Sequence, residues 1–291
     1  MRLLIVFITF YTTSIFADEN LFGYIRGAET LPKGSSEIYQ VITSRQDKGQ
    51  GTFQALDLKT EFEYGFTDKF TIGSEIKMQS IYSKNILIDA YIPRDIETGL
   101  KISGFEIYSK YNFLSPAKDD IGLSAFIAYE QNWLDKHSGQ KKNSRSFYFD
   151  LLVQKYLSEG EFILVGNVGI ESTYARRAAL ANLPADFEWP TIPEMEIALK
   201  LGTGVSYRFV ENWFIGTEAI YETEYETEVG QERYSTFVGP SIHYGGQHFW
   251  TTLTYFRQIN GGPFEDGQAD KNLHLIEKTK YELRLKVGFD F

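Results

Sequence analysis

The sequence predicts an all-β chain whose strands close into a single antiparallel β-barrel. Three observations support this fold class. Segments of about ten residues alternate apolar and polar side chains, the connections between them are mostly short and long in turn, and the last segment ends the chain on an aromatic residue. Strict alternation is the period of a β-strand, in which neighbouring side chains point to opposite faces.

The composition of the 291 residues favours one large β-rich unit. Hydrophobic residues make up 43% and aromatic residues 16% of the chain, which argues against disorder. Cysteine is absent, so disulfide bonds, thiolate nucleophiles and Cys-based zinc sites are excluded. The formal net charge of −10 argues against nucleic acid as a partner.

The first residues have the pattern of a secretory signal peptide. Arg2 precedes an apolar run that reaches Phe16, and Ala17 comes just before the charged Asp18. The run is too short for a membrane helix, which needs roughly 20 apolar residues. We therefore predict a signal peptide over 1–17, a periplasmic N-terminal segment over 18–33 and a transmembrane barrel over 34–291.

The alternating segments number about twelve. An even number of antiparallel strands returns both chain ends to the same side of a barrel, which we predict to be the periplasm. The candidate strands lie near residues 34–45, 52–64, 69–82, 104–114, 120–131, 145–157, 161–173, 195–209, 213–224, 232–244, 247–258 and 277–291.

The connections between these strands differ in length in a regular way. Those at 65–68, 115–119, 158–160, 210–212 and 245–247 are tight, whereas those at 83–103, 132–144, 174–194 and 259–276 are long. Outer-membrane barrels have short periplasmic turns and long extracellular loops. The connections at 46–51 and 225–231 belong to the long set by position and are shorter than the pattern predicts.

The charged residues of the strands share one face. In 195–209, for example, Leu199 and Leu201 lie on one face and Lys200 on the other. If the apolar faces contact lipid, the charged faces line a lumen, which either holds water and conducts solutes or is filled by a salt-bridge network. The lumen candidates are Asp57, Lys59, Glu61, Glu63, Glu75, Lys77, Glu106, Lys110, Lys200, Arg208, Glu282, Arg284 and Lys286.

The last segment resembles the C-terminal β-signal by which Gram-negative outer-membrane proteins are recognised by their insertion machinery. Its apolar residues alternate up to the terminal Phe291. The resemblance implies an outer-membrane location and contact with membrane lipids, lipopolysaccharide and the insertion machinery. The residues that carry it are Tyr281, Leu283, Leu285, Val287, Phe289 and Phe291.

The chain also resembles an uncharacterised family of outer-membrane barrels, a domain of unknown function. The resemblance is carried by residues 28–34, Ala-Glu-Thr-Leu-Pro-Lys-Gly, and by residues 60–68, Thr-Glu-Phe-Glu-Tyr-Gly-Phe-Thr-Asp. These stretches cover less than a tenth of the chain. They imply a barrel and no activity.

Three further features are candidates for binding or gating. The apolar stretch 85–93 either folds inward as a constriction or packs on the barrel rim, and the loop 175–194 is a second candidate lid. Arg176 and Arg177 either contact lipopolysaccharide phosphates or are ordinary surface residues. An acidic repeat at the outer mouth either attracts a cation or is a solvated strand end; its carboxylates are Glu222, Glu224, Glu226 and Glu228.

Nothing in the sequence predicts catalysis. Ser241 and His243 are about 7 Å apart along one strand face, too far for a hydrogen bond, and the chain has no His-x-Ser-Asn motif of the outer-membrane phospholipases. His137 and His274 lack metal-ligand spacing, so we expect no metal and no cofactor. We expect passive passage of small polar or charged solutes; the alternatives are a closed structural or adhesive barrel and, third, a lipid-modifying enzyme.

Overall fold

The computed structural model describes residues 20–86, 95–180, 191–226, 230–264 and 267–291. Within these ranges no helix is long and apolar enough to cross a membrane. A 3₁₀ turn covers Ser158–Gly160, and the strands are β1 Ser36–Gln46, β2 Thr52–Thr67, β3 Phe70–Lys84, β4 Ile96–Leu114, β5 Gly122–Leu134, β6 Lys141–Leu157, β7 Phe162–Arg177, β8 Glu194–Val210, β9 Trp213–Glu226, β10 Gly230–Gly245, β11 Phe249–Gly262 and β12 Tyr281–Asp290.

The strands form one closed antiparallel barrel in which each strand pairs with its neighbours in sequence. The first and last strands close it, since β1 pairs with β12 from Glu37 opposite Asp290 to Gln46 opposite Tyr281. The Ser36 N–H also donates to the Phe291 carbonyl at 2.8 Å. Closure removes the unpaired edges that an open sheet would expose.

The predicted fold class and strand number are confirmed. The largest difference is β4, which begins at Ile96 and not near residue 104. Its register shifts against β3 between Lys77 and Met78 and between Gln79 and Ile81, and each shift interrupts the alternation from which strands are recognised. The segment 96–103, predicted as loop, therefore extends the wall.

The two ends of the barrel differ. The short-turn end carries the connections 68–69, 115–121, 158–161, 211–212 and 246–248, together with the start of β1 and the end of β12. The long-loop end carries the other connections. Alternation holds along the wall: in β12 Leu283 and Phe289 are exposed on the outer surface, whereas Lys286 is buried inside.

Candidate functional site

The inward faces of the strands enclose a cavity of about 370 Å³. It is lined by every predicted lumen charge except Arg208, which lies near the short-turn end of β8. Wall charges of both signs occur, and the N-terminal segment contributes Tyr24, Ile25 and Arg26 to the lining. The cavity is therefore polar and has room for several water molecules or one small solute.

The N-terminal segment, residues 20–33, crosses the interior at the short-turn end. Asn20 contacts Lys286 of β12, and Arg26 lies beside β7. The chain then leaves the interior at the β2–β3 turn, where the Lys33 N–H donates to Asp68 Oδ1 at 2.9 Å. The sequence predicted residues 18–33 as a periplasmic segment. In the structure residues 20–28 lie inside the barrel, because inward side chains of the wall form hydrogen bonds with the backbone of this segment.

Glu218 of β9 holds the middle of the N-terminal segment. Its carboxylate accepts hydrogen bonds from the backbone N–H groups of Gly23 at 2.8 Å, Tyr24 at 2.9 Å and Ile25 at 3.2 Å. Thr254 donates a fourth hydrogen bond at 2.8 Å. Three consecutive N–H groups around one carboxylate form an anion-binding concavity, here filled by a side chain of the barrel itself.

Amide side chains of the wall extend this anchoring. Asn167 accepts from the Arg26 N–H and donates to the Arg26 carbonyl, both at 2.8 Å, as a neighbouring strand would. Gln154 accepts from the Ala28 N–H at 2.7 Å, and Asn112 donates to the Ala28 carbonyl at 2.7 Å. A buried backbone without such partners would cost roughly 1–3 kcal/mol per group.

Apolar packing fixes the N-terminal segment further. Leu21, Phe22 and Ile25 are buried in one cluster with inward residues of β7, β9, β10 and β11. Glycines of β8 make room for them: a Cβ at Gly204 would stand 2.9 Å from the Phe22 ring, and one at Gly202 would stand 2.5 Å from Ile25 Cδ1. The small inward face of β8 is thus a docking groove for the N-terminal segment.

A salt-bridge network covers the wall at β2–β5. Lys77 bonds to Glu75 at 3.2 Å, to Glu106 at 3.0 Å and to Glu130, and Lys59 bonds to Glu75 at 3.0 Å. Each carboxylate is almost fully buried, so pairing is needed to offset its desolvation. Carboxylates outnumber the ammonium groups in this network, which gives this wall a negative field.

The cation of Arg26 faces this acidic wall. It lies 3.8 Å from Glu106 and 3.8 Å from Asp150, with its guanidinium 4.0 Å from the centre of the Phe126 ring. Nearby, the Tyr108 hydroxyl donates to the carboxylates of Glu61 and Glu63. The N-terminal segment therefore supplies part of the positive charge that balances the wall.

On β12, Arg284 covers Tyr24. Its guanidinium lies 3.6 Å from the Tyr24 ring centre, and it donates to the Gly23 carbonyl at 3.0 Å. The Tyr24 hydroxyl donates to Glu282 at 2.6 Å. The inward charges predicted from the sequence thus contact the N-terminal segment as well as the cavity.

Loops cover the long-loop end of the cavity. Arg45 donates to the Lys136 carbonyl at 2.6 Å, and Gln79 donates to the Asp135 carbonyl at 2.9 Å. From the other side, Gln258 donates to the carbonyls of His274 at 3.0 Å and Thr279 at 3.1 Å. Inward strand residues therefore hold the loops 135–140 and 272–280 over the long-loop end of the cavity.

The two loop histidines, His274 buried and His137 half-buried, both have lowered pKa values and are neutral at pH 7. Burial lowers the pKa of His274 to about 3, although the Pro263 carbonyl, 2.9 Å from Nδ1, favours the protonated ring. Burial, with the nearby cations of Lys48 and Arg45, also holds the pKa of His137 well below its usual value. Protonation of either ring would disfavour the closed loops.

Two carboxylates of the acidic repeat pair with cations of this chain. The Glu222 carboxylate lies 2.6 Å from the Lys278 ammonium, and Glu224 pairs with Arg233. Glu226 is the last residue of β9, and Glu228 lies outside the described residues. Across the ranges that the structure covers, no three His, Asp or Glu side chains converge as a metal site.

Other sequence candidates are separated by the fold. Arg177 pairs with Glu194 at the inner face, whereas Arg176 is exposed outside. His243 is buried in the interior with its Nδ1 2.8 Å from Thr252 Oγ1, far from a lipid-facing position. Residues 1–17, most of the stretch 85–93, and residues 181–190 lie outside the described residues.

The sequence missed the docking of the N-terminal segment. The sequence did contain one indication of it: three consecutive inward positions of β8 carry the small residues Gly202, Gly204 and Ser206. A wall that only lines a charged lumen does not require small residues there. Asn112, Gln154 and Asn167 are inward amides, which suit backbone groups better than free ions. Sequence alternation identifies the inward face but does not identify what fills it.

Solved barrels of other sequence share this architecture. The COG4313 outer membrane channel from Pseudomonas putida F1 is 11% identical, with a TM-score of 0.61 over 91% of this chain and 98% of that one. The beta domain of the Bordetella autotransporter BrkA is 8% identical, with a TM-score of 0.54 over 90% and 100%. At these identities the likeness establishes the fold alone. No curated protein matches the chain.

A family model matches residues 14–291, which includes the N-terminal segment and every strand of the barrel. The match agrees with the resemblance at residues 28–34 and 60–68 to an uncharacterised barrel family. The chain belongs to the family of unknown function DUF6662.

Proposed function

We propose that the protein is an outer-membrane barrel that gives small polar or charged solutes narrow, passive passage. Membrane insertion is supported by the outer surface, where large apolar side chains stand exposed on every strand. Ile76 is 57% exposed, Phe147 61% and Val168 56%. Soluble monomers rarely expose a continuous apolar surface of this extent. In a membrane barrel, lipid covers such a surface.

The spacing of aromatic residues supports the same placement. Phe162 and Tyr174 stand on the outer face of β7, near its two ends. Their separation is about 40 Å along the strand and about 30 Å along the axis of a barrel with the usual tilt. Such a band matches the hydrocarbon thickness with aromatic residues at both interfaces. The predicted signal peptide 1–17 would direct export.

The proposal of passage rests on one observation, the charge-lined cavity inside the barrel. Its polar lining can replace the hydration of an ion or small polar solute. The N-terminal segment narrows the cavity at the short-turn end, and the loops 135–140 and 272–280 narrow it at the other. Conductance through this route is therefore small, and its selectivity follows the charges of the cavity.

Single-channel recording of the refolded mature protein in a planar bilayer tests this function. We expect small, discrete conductance steps, and larger ones from a variant that lacks residues 20–28, because the deletion opens the short-turn end. A heat-modifiability assay on both proteins first establishes that the barrel is folded. A folded barrel that stays silent in both forms would contradict passage.

A second candidate is a closed structural or adhesive barrel whose outer loops bind an envelope component or a protein. It is favoured by the buried apolar cluster of Leu21, Phe22 and Ile25, which fills the interior as a protein core would. Under this function the intact protein is silent and its deletion variant conducts. The same recordings therefore separate the two candidates. The enzyme alternative finds no support at His243, because its ring lies inside the barrel beside Thr252 and does not face the lipid.

A further inference from the structure

A basic cleft lies at the long-loop end of β5–β7, where side chains of the outer face form most of its charged lining. It encloses about 850 Å³, and its lining includes Trp133, Lys141, Arg145, Tyr174 and Arg176. The register fixes the positions of the two arginines: Arg145 lies opposite Tyr174, and Arg176 lies two residues further along β7. Diagonal neighbours of this kind are about 7–8 Å apart, so both guanidinium groups can reach one anion.

The cations that line the basic cleft fall into two sets, one paired with carboxylates and one without an ion pair among the described residues. Lys142 and Arg177, which point inward from the same strands, are held by Glu194, and Lys142 also lies 3.7 Å from Glu196. Arg145 and Arg176 are exposed and form no ion pair within the part of the chain that the structure describes. Their side chains therefore keep their donors for an external ligand.

The surface below the basic cleft is apolar. On the outer face of β6 the next positions are Phe147 and Phe149, which are 61% and 44% exposed, and β7 adds Ile170 at 44%. Trp133 and Tyr174 stand at the level of the cations, where aromatic residues favour a membrane interface. The ligand that fits is an amphiphile with an anionic headgroup and several acyl chains.

We propose that the basic cleft binds lipopolysaccharide through a phosphate of its lipid A headgroup. Arg145 and Arg176 clamp the phosphate, since the planar guanidinium group matches it in bidentate geometry, and the acyl chains lie on the phenylalanines of β6. The assignment rests on the proposed outer-membrane placement, with the long-loop end in the outer leaflet. It replaces the Arg176–Arg177 pair considered from the sequence by a pair that the barrel brings together from β6 and β7.

Lipid binding to the detergent-solubilised full-length barrel, followed by native mass spectrometry, tests the proposal. We expect the protein to retain bisphosphorylated lipid A and to lose it at least tenfold in the double variant Arg145→Gln, Arg176→Gln. Lipid A without phosphates should bind at least tenfold more weakly to the unchanged protein. The control variant Lys84→Gln removes a single exposed cation at the end of β3 and should bind as the parent does.

Equal retention of lipid A by the double variant and the parent would overturn the proposal, and so would equal retention of the dephosphorylated lipid. Inorganic phosphate that fully displaces lipid A at millimolar concentration would show a simple anion site and overturn the lipid assignment. Planar-bilayer recordings of the double variant keep this test separate from passage. Its conductance should equal that of the parent because both arginines face away from the cavity.

Discussion

At the residue scale, Glu218 connects the barrel wall to the N-terminal segment. Its carboxylate serves three consecutive backbone N–H groups, those of Gly23, Tyr24 and Ile25. Alternation along β9 predicts only that this side chain points inward. The loop of backbone that surrounds it depends on residues about 195 positions away, which no local pattern reports.

The change Glu218→Gln should loosen the N-terminal segment without unfolding the barrel. An amide oxygen without charge accepts more weakly, and its NH₂ group faces N–H donors, so we expect docking to lose about 2 kcal/mol. Hydrogen exchange of the Gly23 to Ile25 amides should then accelerate about 30-fold. Glu196→Gln is the control because that inward carboxylate lies by Lys142, away from the segment. Unchanged exchange in E218Q would mean that Glu218 does not anchor the segment.

A second prediction at this scale concerns the substitution Gly204→Val. A valine there would place its Cβ 2.9 Å from the Phe22 ring, so Phe22 must leave its site or the segment must shift. Overpacking of this kind costs about 1–3 kcal/mol. Faster exchange of residues 20–28 and larger conductance steps are the expected results. Gly99→Val, where no atom lies within 4 Å of the added Cβ, should change neither measurement.

At the scale of elements, the two loops that cover the long-loop end of the cavity each contain a neutral histidine. The pKa of His274 is about 3 in the closed loop and about 6.5 in an open, solvated one. The open loop therefore binds more protons between these values, so the closed state is fully favoured above pH 6.5 and loses stability as the pH falls below it. The loss is at most about 1.4 kcal/mol per pH unit for this ring.

Intrinsic amide exchange slows as the pH falls from 7 to 4.5, and exchange of the 272–280 amides should slow less than the intrinsic rate does, because the loop opens more often. The variant His274→Gln removes the titrating ring, so its exchange should follow the intrinsic rate, whereas replacement of the exposed His248 by Gln should leave the pH response as in the parent. An identical pH response in H274Q and the parent would show that another group controls the loop.

Strands are the elements that the sequence predicts best. Most predicted bounds lie within four residues of those in the structure, because a wall between two media requires alternation at nearly every position. The exception is the start of β4, where two register shifts against β3 break the period. Bulges obscure alternation because they place two residues of one strand opposite one of its partner.

At the scale of the whole molecule, the distribution of charge determines what the cavity would admit. Glu75 lies between Lys59 and Lys77, and Glu61 and Glu63 share the Tyr108 hydroxyl. These carboxylates belong to one wall. A conducting lumen would therefore have a field directed across its axis, with a strength that depends on ionic strength.

Replacement of Glu61, Glu63 and Glu75 by Gln should shift the reversal potential in a salt gradient toward anions. The three changes remove negative charge from the cavity and leave Lys59 and Lys77 with fewer partners. Glu211→Gln, in the exposed β8–β9 turn, is the control and should keep the parent's selectivity. Unchanged reversal potentials in the triple variant of a conducting barrel would show that this wall is not the filter.

The sequence by itself determined the number of strands, their inward and outward faces and the signs of the charges inside the barrel, because these follow from alternation with a period of two. The tertiary structure alone decided what those charges contact. Glu218 anchors the N-terminal segment, and Gly204 leaves space for the Phe22 ring. Arg176 lies on the face opposite to Arg177 and is a diagonal neighbour of Arg145 on the next strand. The physical reason is that a closed barrel brings distant residues together across its interior, where packing and hydrogen bonding depend on the complete wall.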